Sequence, residues 1–121
     1  MVDPEEFTDR YVSLWNESDP AYRRKLIAEL WAPSGANFTA TSEYHGYQEL
    51  ELRVSDAYEK FVGSGAYRFR SLHNAAGHHD AVRFNWEMYN PANDEVISVG
   101  LEVFILDNDS CILTDHQFIE R

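Results

Sequence analysis

The clearest structural signal lies in residues 81–106, which read AVRFNWEMYNPANDEVISVGLEVFIL. Apolar and polar side chains alternate through residues 81–89, which is typical of a strand with one buried face. Residues 90–94 contain proline, asparagine and aspartate, and they predict a turn. Residues 95–106 are apolar on both faces, which predicts a strand that is covered on both sides. The stretch therefore predicts two strands of one sheet.

The flanking sequence predicts three helices and further strands. A first helix begins after the capping residue Asp3 and a second after Asp19, each with a proline in the next position. Trp31 ends the apolar stripe of the second helix, which Pro33 stops. The remaining predicted elements are a strand at 35–41, a third helix from about Gly46 to Val62, and strands at 66–75 and 111–119. Helices followed by strands indicate one α+β domain over residues 1–121.

The composition is typical of a globular domain with an acidic surface. The chain has 121 residues, and 21 acidic side chains against 10 basic ones give a formal net charge of -11. Such a surface repels phosphate groups, which argues against nucleic acid and anionic membranes as partners. No apolar run approaches the roughly 20 residues of a membrane span, and residues 1–6 lack the apolar core of a signal peptide. We therefore expect a cytoplasmic protein.

The cysteine and histidine residues predict neither a disulfide framework nor a metal site. Cys111 is the single cysteine, so no intrachain disulfide can form. His78 and His79 are adjacent on a predicted strand, so their side chains should point to opposite faces and could not bind one ion. His73 does not complete a convergent set with them. We therefore expect no metal.

Glu102 fits the pattern of its strand least well. It lies between Gly100 and Phe104, and the other face of the strand is wholly aliphatic. A carboxylate is costly to bury, so Glu102 should be neutral, paired or at the wall of a wet cavity, with a raised pKa. The missing side chain at Gly100 leaves room beside it. The alternative is an edge strand on which Glu102 is solvated.

The opposite face of the same strand predicts a homodimer. Three short helices cover only one face of a curved five-stranded sheet, so the other face needs a separate cover. A second copy of the same sheet would provide it. The aliphatic stripe on this face consists of Ile97, Val99, Leu101, Val103 and Ile105.

Several segments resemble one known superfamily. Residues 9–16, DRYVSLWN, are similar to its first helix, and His45–Gly46 is similar to the start of its third. Residues 78–87, HHDAVRFNWE, resemble a strand of SnoaL-like proteins, as do Gly100–Glu102 with Leu106–Asp107. Together with the order of elements, these segments resemble SnoaL-like members of the nuclear transport factor 2-like superfamily. The superfamily hosts many activities, so the resemblance is more specific for fold than for reaction.

The resemblance implies a cone-like barrel with an apolar pocket, in which three N-terminal helices pack in the concave face of a curved mixed sheet. Tyr11 and Glu102 match the positions at which ketosteroid isomerases hold an oxyanion, and SnoaL-type polyketide cyclases are expected to keep an acid/base where Glu102 lies. Asp115 would reach the pocket as a second carboxyl group, or would be solvated at its mouth. The implied ligand-binding residues are Trp15, Val82, Phe84, Trp86, Met88, Phe104 and Gln117.

The sequence departs from the isomerases at one decisive place. Their catalytic base is an aspartate on the first strand, whereas residues 38–41 read FTAT and contain no carboxylate. Steroid isomerisation by that mechanism is therefore not expected. The sequence still favours a cofactor-free isomerase or cyclase, acting by proton transfer on a small hydrophobic carbonyl compound. The alternative is a non-catalytic hydrophobic-ligand-binding or dimerisation module, and the sequence does not decide between them.

Overall fold

The chain folds into three α-helices and seven β-strands. The computed structural model describes residues 2–121, and residue 1 of the predicted domain lies outside that range. The helices are α1 (Pro4–Asn16), α2 (Pro20–Leu30) and α3 (Gly46–Ala57), and a π-helical turn (Tyr58–Val62) follows α3. The strands are β1 (Trp31–Phe38), β2 (Glu43–His45), β3 (Arg68–Ser71), β4 (Ala76–His78), β5 (Ala81–Tyr89), β6 (Val96–Leu106) and β7 (Ile112–Ile119). The α+β class is confirmed.

All seven strands belong to one mixed sheet. The order is β2-β1-β7-β6-β5-β3, and β4 pairs with the first part of β5. Only β1 and β7 run parallel, and every other pair is antiparallel. Because β2 and β3 end the sheet without pairing to each other, the predicted cone is not closed into a barrel.

The helix starts follow the predicted capping. The side chain of Asp3 accepts a hydrogen bond from the Glu5 N–H, and that of Asp19 accepts one from the Ala21 N–H, both at 3.0 Å. Each cap satisfies a backbone donor that the first turn leaves without a partner inside the helix. Both helices then pack their apolar stripes into the core, which also includes Leu50 and Val54 of α3.

The end of α2 differs from the prediction. The helix stops at Leu30, and the fully buried Trp31 is the first residue of β1, where it pairs with Ile112. Pro33 therefore lies inside a strand, not at the end of a helix. The strand tolerates it because the pairing of β1 with β7 shifts register between Trp31 and Ala36, so the missing N–H interrupts no regular ladder.

Three further differences come from short or irregular elements. The third helix keeps α geometry only to Ala57 and then widens into the π turn, which is common near functional sites. The predicted strand at 66–75 is split into β3 and β4, and between them His73 has a left-handed backbone with φ 55°. The predicted strand at 35–41 begins earlier and is followed by β2, whose exposed polar ends gave no alternating pattern.

The outer face of the sheet carries the predicted aliphatic stripe. Ile97 is exposed, and Val99, Leu101 and Val103 are half-buried. Phe118 of β7, which pairs with Leu101, adds an aromatic ring with 53% of its surface exposed. Large exposed apolar patches are uncommon on monomeric proteins.

We expect this face to form a homodimer. Light scattering at micromolar concentration should give twice the mass of one chain. Leu101→Lys should give a monomer, because it places a charge at the centre of the patch. The control is Leu52→Lys on α3, where the leucine is 59% exposed, and this variant should remain dimeric. A wild-type protein that stays soluble as a monomer would contradict the prediction.

Candidate functional site

Helix α1 determines which part of the sheet is core and which part faces a cavity. Its Phe7 ring lies 5.2 Å from the ring of Phe104, and its Tyr11 ring lies 4.8 Å from the same ring. Val82, Phe84 and Phe104 are consequently buried beneath the helix and do not line the cavity. The expectation that these three line the cavity is wrong, because the alternation of a strand shows which face a residue is on but not what covers that face.

A cavity of about 780 Å³ opens beyond this core, between the later part of β5 and helices α1 and α3. A volume of this size suits a small molecule of drug-like dimensions. Its walls include the predicted Trp15, Trp86, Met88 and Gln117, together with aromatic side chains that the prediction did not include. These additional rings include Tyr44, Phe61 and Phe69.

The predicted residues Tyr11 and Asp115 meet beside this cavity. Asp115 is 0% exposed, so the alternative of a solvated carboxylate at the mouth is wrong. The Tyr11 hydroxyl donates to Asp115 Oδ2 at 2.6 Å, and Asn37 Nδ2 donates to the same oxygen at 2.9 Å. Asp115 therefore lies behind the cavity wall, and Tyr11 separates it from the interior.

Glu102 lies in the wall itself and is only 1% exposed, so the edge-strand alternative is also wrong. Trp86 Nε1 donates to Glu102 Oε1 at 3.0 Å. Glu102 and Asp115 are diagonal neighbours on one face of the sheet, because Glu102 pairs with Gln117 and Phe104 pairs with Asp115. Glu102 Oε2 and Asp115 Oδ1 are buried and have no hydrogen-bond partner within residues 2–121. We infer that the two groups share one proton, because buried polar atoms are rarely left without a partner.

The protonation states follow from burial and from the number of donors around each group. Burial raises the pKa of Glu102 well above its usual value, and the negative charge of Asp115 raises it further. Burial also raises the pKa of Asp115, but hydrogen bonds from Glu102, Tyr11 and Asn37 oppose that rise. Because Tyr11 and Asn37 donate to Asp115 whereas only Trp86 donates to Glu102, we infer that the proton of the pair is on Glu102. Burial and the nearby carboxylate also raise the pKa of Tyr11, which keeps it a neutral phenol.

Solved structures resemble the whole chain. A SnoaL-like family protein from Agrobacterium tumefaciens, described as a candidate isomerase, superposes with a TM-score of 0.89 at 25% identity, and 100% of each chain is covered. The chain has a SnoaL-like, nuclear transport factor 2-like fold. A SnoaL-like protein of unknown function from Burkholderia thailandensis (TM-score 0.74, 13% identity, 98% of this chain and 95% of that one) shows the same fold. So does a candidate polyketide cyclase from Sinorhizobium meliloti (TM-score 0.70, 10% identity, 93% and 94%).

Sequence comparison adds nothing to this likeness: no protein-family model matches the chain, and no curated protein matches it. The likeness to these solved structures confirms the predicted SnoaL-like fold. It does not assign a reaction to the chain.

Gly100 has the role predicted for a residue without a side chain. A Cβ atom at this position would collide with the Trp86 ring, which fills the space above the glycine. The indole can lie there only because the side chain is missing, and from there its N–H reaches Glu102. The space beside Glu102 is therefore filled by the Trp86 indole, which donates a hydrogen bond to Glu102.

Sequence reasoning missed Arg53 and Asn37. The Arg53 guanidinium lies over the Trp15 ring at 5.2 Å and over the Tyr44 ring at 5.6 Å. Its Nε donates to Asn37 Oδ1 at 3.4 Å, which orients the Asn37 amide so that its nitrogen faces Asp115. The available signal was helical spacing, because Arg53 follows the buried Leu50 by three positions on α3.

The histidines lie at the surface or close to each other. His116 is exposed on the outer face, and its ring stacks on that of Phe38 with 4.9 Å between the ring centres. The prediction that His78 and His79 point apart is wrong: His79 lies outside the strand with φ 53°, and the two Nδ1 atoms are 3.0 Å apart. His73 instead lies near Glu5, at 3.6 Å. The absence of a metal remains a prediction.

No helix within the part of the chain that the structure describes has the length and apolar character needed to cross a membrane.

Proposed function

We propose that this chain catalyses cofactor-free proton transfer on a small, largely apolar carbonyl compound bound in the cavity. The observation that carries the proposal is a pair of neighbouring buried carboxyl groups, Glu102 in the cavity wall and Asp115 behind it, each with one oxygen that has no other partner in residues 2–121. Two carboxyl groups with different environments are a recurrent way to keep one as an acid and the other as a base. The likeness to isomerase and cyclase candidates supports the same class of chemistry.

Glu102 is the group that would touch the substrate, because it lines the cavity and Asp115 does not. In the resting state Glu102 carries the proton and can act as the acid. When the proton moves across to Asp115 Oδ1, the Glu102 carboxylate is left free to take a proton from a carbon next to a carbonyl group. Return of that proton to a different atom would complete an isomerisation or initiate a cyclisation.

Tyr11 has a different part in this arrangement from the one predicted by resemblance. Its hydroxyl donates to Asp115, so it is not free to donate to a substrate oxyanion. Tyr11 and Asn37 instead stabilise the negative charge of Asp115 when the proton is on Glu102. We therefore assign Tyr11 as a positioning residue and Glu102 as the catalytic one.

The second candidate function is non-catalytic binding of a hydrophobic ligand in the same cavity. The hydrogen bond from Tyr11 to Asp115 favours this candidate. Because the Tyr11 hydroxyl donates to Asp115, the cavity lacks the oxyanion donor that the isomerases use. Binding alone would require only the apolar walls and would not depend on a proton at Glu102.

Deuterium exchange into 2-tetralone, a bicyclic ketone with acidic hydrogens beside its carbonyl group, separates the two candidates. The wild type should accelerate exchange at C1 above the buffer rate, as followed by proton NMR. Glu102→Gln keeps the shape and hydrogen bonds of the neutral acid but cannot transfer a proton, so it should lower the rate by about a hundredfold or more. The control is Asp56→Asn, which removes an exposed carboxylate from the same cavity and should retain the activity.

The outcomes are distinct. A Glu102→Gln variant that exchanges as fast as the wild type would overturn the proposal. A wild type that binds 2-tetralone without accelerating exchange would also overturn it and would support the binding function.

A further inference from the structure

Arg53 is a cation in the wall of the cavity. Its guanidinium carbon lies 5.2 Å from the centre of the Trp15 ring and 5.6 Å from the centre of the Tyr44 ring. Its two protein hydrogen bonds are long, 3.4 Å to Asn37 Oδ1 and 3.3 Å to Gln117 Oε1. Both acceptors are neutral amide oxygens. Across residues 2–121, no carboxylate forms a salt bridge with Arg53.

The guanidinium has donors left for a ligand. An arginine presents five N–H groups in a rigid planar fork. The bonds to Asn37 and Gln117 use only Nε and one Nη2 hydrogen. The stacked aromatic rings fix the plane of the fork without using its edges. The remaining N–H groups are therefore available to a planar acceptor in the cavity.

The charges around the cavity favour an anion at this place. The other charged or ionisable residues of the lining are Asp56, Lys60 and Glu102. Asp56 and Lys60 carry opposite charges, and Glu102 is neutral because of its burial. Asp115 is negative, but it lies behind the wall and three donors stabilise it. Arg53 thus leaves the cavity surface positive in a chain whose net charge is -11.

We propose that the cavity takes an amphipathic carboxylate: a flat or ring-containing apolar body with one carboxylate group, whose oxygens bind the fork of Arg53. The aromatic walls fit the body, and the planar guanidinium fits a carboxylate in two-point contact. A doubly charged phosphate is less suitable, because Asp56 and the buried Asp115 would repel its second charge. The inference rests on the proposed function only for the location of the binding site and names the substrate class for it.

Arg53 has an alternative, purely structural role. It orients Asn37 and it lowers the pKa of Asp115 through its positive charge. If this were its only role, removing the guanidinium would alter stability and the proton on the Glu102–Asp115 pair. It would not change the preference between an acid and a neutral compound of the same shape.

The test compares 2-naphthoate with 2-naphthamide, which have the same ring body and differ in charge. Binding is measured by calorimetry and by quenching of tryptophan fluorescence, since Trp15 and Trp86 both line the cavity. The wild type should prefer the acid by about tenfold or more. Arg53→Gln should remove this preference while naphthamide binding stays within about threefold. Arg53→Lys keeps the charge without the fork and should retain part of the preference.

Lys60→Gln is the matched control, because it removes the other cation of the lining and should leave the preference in place. Equal binding of the two probes by the wild type, or an unchanged preference in a folded Arg53→Gln variant, would overturn the inference. Should Arg53→Gln not fold, an unchanged preference in Arg53→Lys would overturn it, and a reduced one would support it. Failure of both probes to bind would overturn it as well.

The exchange experiment keeps this inference separate from the proposed function. If the wild type accelerates exchange into 2-tetralone but does not prefer naphthoate, the proposed proton transfer is supported and the anionic ligand class is overturned. If it prefers naphthoate but does not accelerate exchange, the ligand class is supported and the proposed catalysis is overturned.

Discussion

Replacing Glu102 with glutamine should make the protein more stable than the wild type at neutral pH but not at acidic pH. A glutamine amide can donate to Asp115 Oδ1 and accept from Trp86 Nε1, as the protonated glutamic acid does in the folded state. It differs from glutamic acid in having no proton to lose. Any difference in pH dependence between the two proteins therefore reports the titration of the Glu102–Asp115 pair.

The sign of the effect follows from the raised pKa of Glu102. Below the unfolded-state pKa of about 4.3, both the folded and the unfolded chain hold the proton, and pH has no effect through this group. Above it, the unfolded chain releases the proton while the folded chain keeps it. The contribution of Glu102 to wild-type stability therefore falls as pH rises, until pH reaches the folded-state pKa.

The free energy of unfolding, measured by urea denaturation between about pH 5 and pH 8, checks this prediction. The stability of Glu102→Gln relative to wild type should rise by about 1.4 kcal/mol for each pH unit within the titration range. Glu102→Leu is the control for packing, and it should be less stable than Glu102→Gln by roughly 1–3 kcal/mol because Trp86 Nε1 and Asp115 Oδ1 lose their partners. Parallel pH profiles for wild type and Glu102→Gln would show that Glu102 is not held protonated.

Replacing Asp115 with leucine should cause the largest loss of stability of any single change at the site. Three groups direct donors at this carboxylate: the Tyr11 hydroxyl, the Asn37 amide and the protonated Glu102. All of them are buried, so water cannot replace the lost acceptor. We expect a loss of about 3–5 kcal/mol in the free energy of unfolding at pH 7.

Asp115→Asn is the matched variant for this experiment. Its carbonyl oxygen can still accept from Tyr11 and Asn37, and its amide nitrogen can donate to Glu102 Oε2. We expect it to lose less than half as much stability as Asp115→Leu in the same urea titration. Equal losses for the two variants would mean that the hydrogen bonds contribute little, and that the leucine is penalised only for its shape.

Much of the fold was predictable because the signals that define it are local. The caps at Asp3 and Asp19 act within one helical turn, and the alternation in β5 is a property of consecutive residues. The errors fell where distant parts of the chain override a local pattern. Trp31 continues the stripe of α2 in sequence, but pairing with Ile112 places it in a strand.

The candidate site was predictable only in part. Glu102 was conspicuous as a carboxylate in an apolar strand, and Tyr11 was identified through the resemblance of its helix. Arg53 was missed because an arginine on an amphipathic helix is usually solvated. Its position in the cavity depends on Trp15 of another helix and on Gln117 of the last strand. Phe84 was wrongly predicted to line the cavity, because the alternation of residues along a strand does not show that α1 covers this part of the sheet.

Local sequence patterns are enough to predict the α+β class, the first two helix starts, the central strands and a carboxyl group that its strand does not readily accommodate. The neighbours of this carboxyl group, on which the position of the proton depends, are known only from the folded chain. The hydrogen bond from Tyr11 to Asp115 joins residues 104 positions apart, and that from Asn37 joins residues 78 apart. The pKa of a buried group is set by the donors and charges within a few ångströms of it, and folding brings those neighbours together from distant parts of the chain.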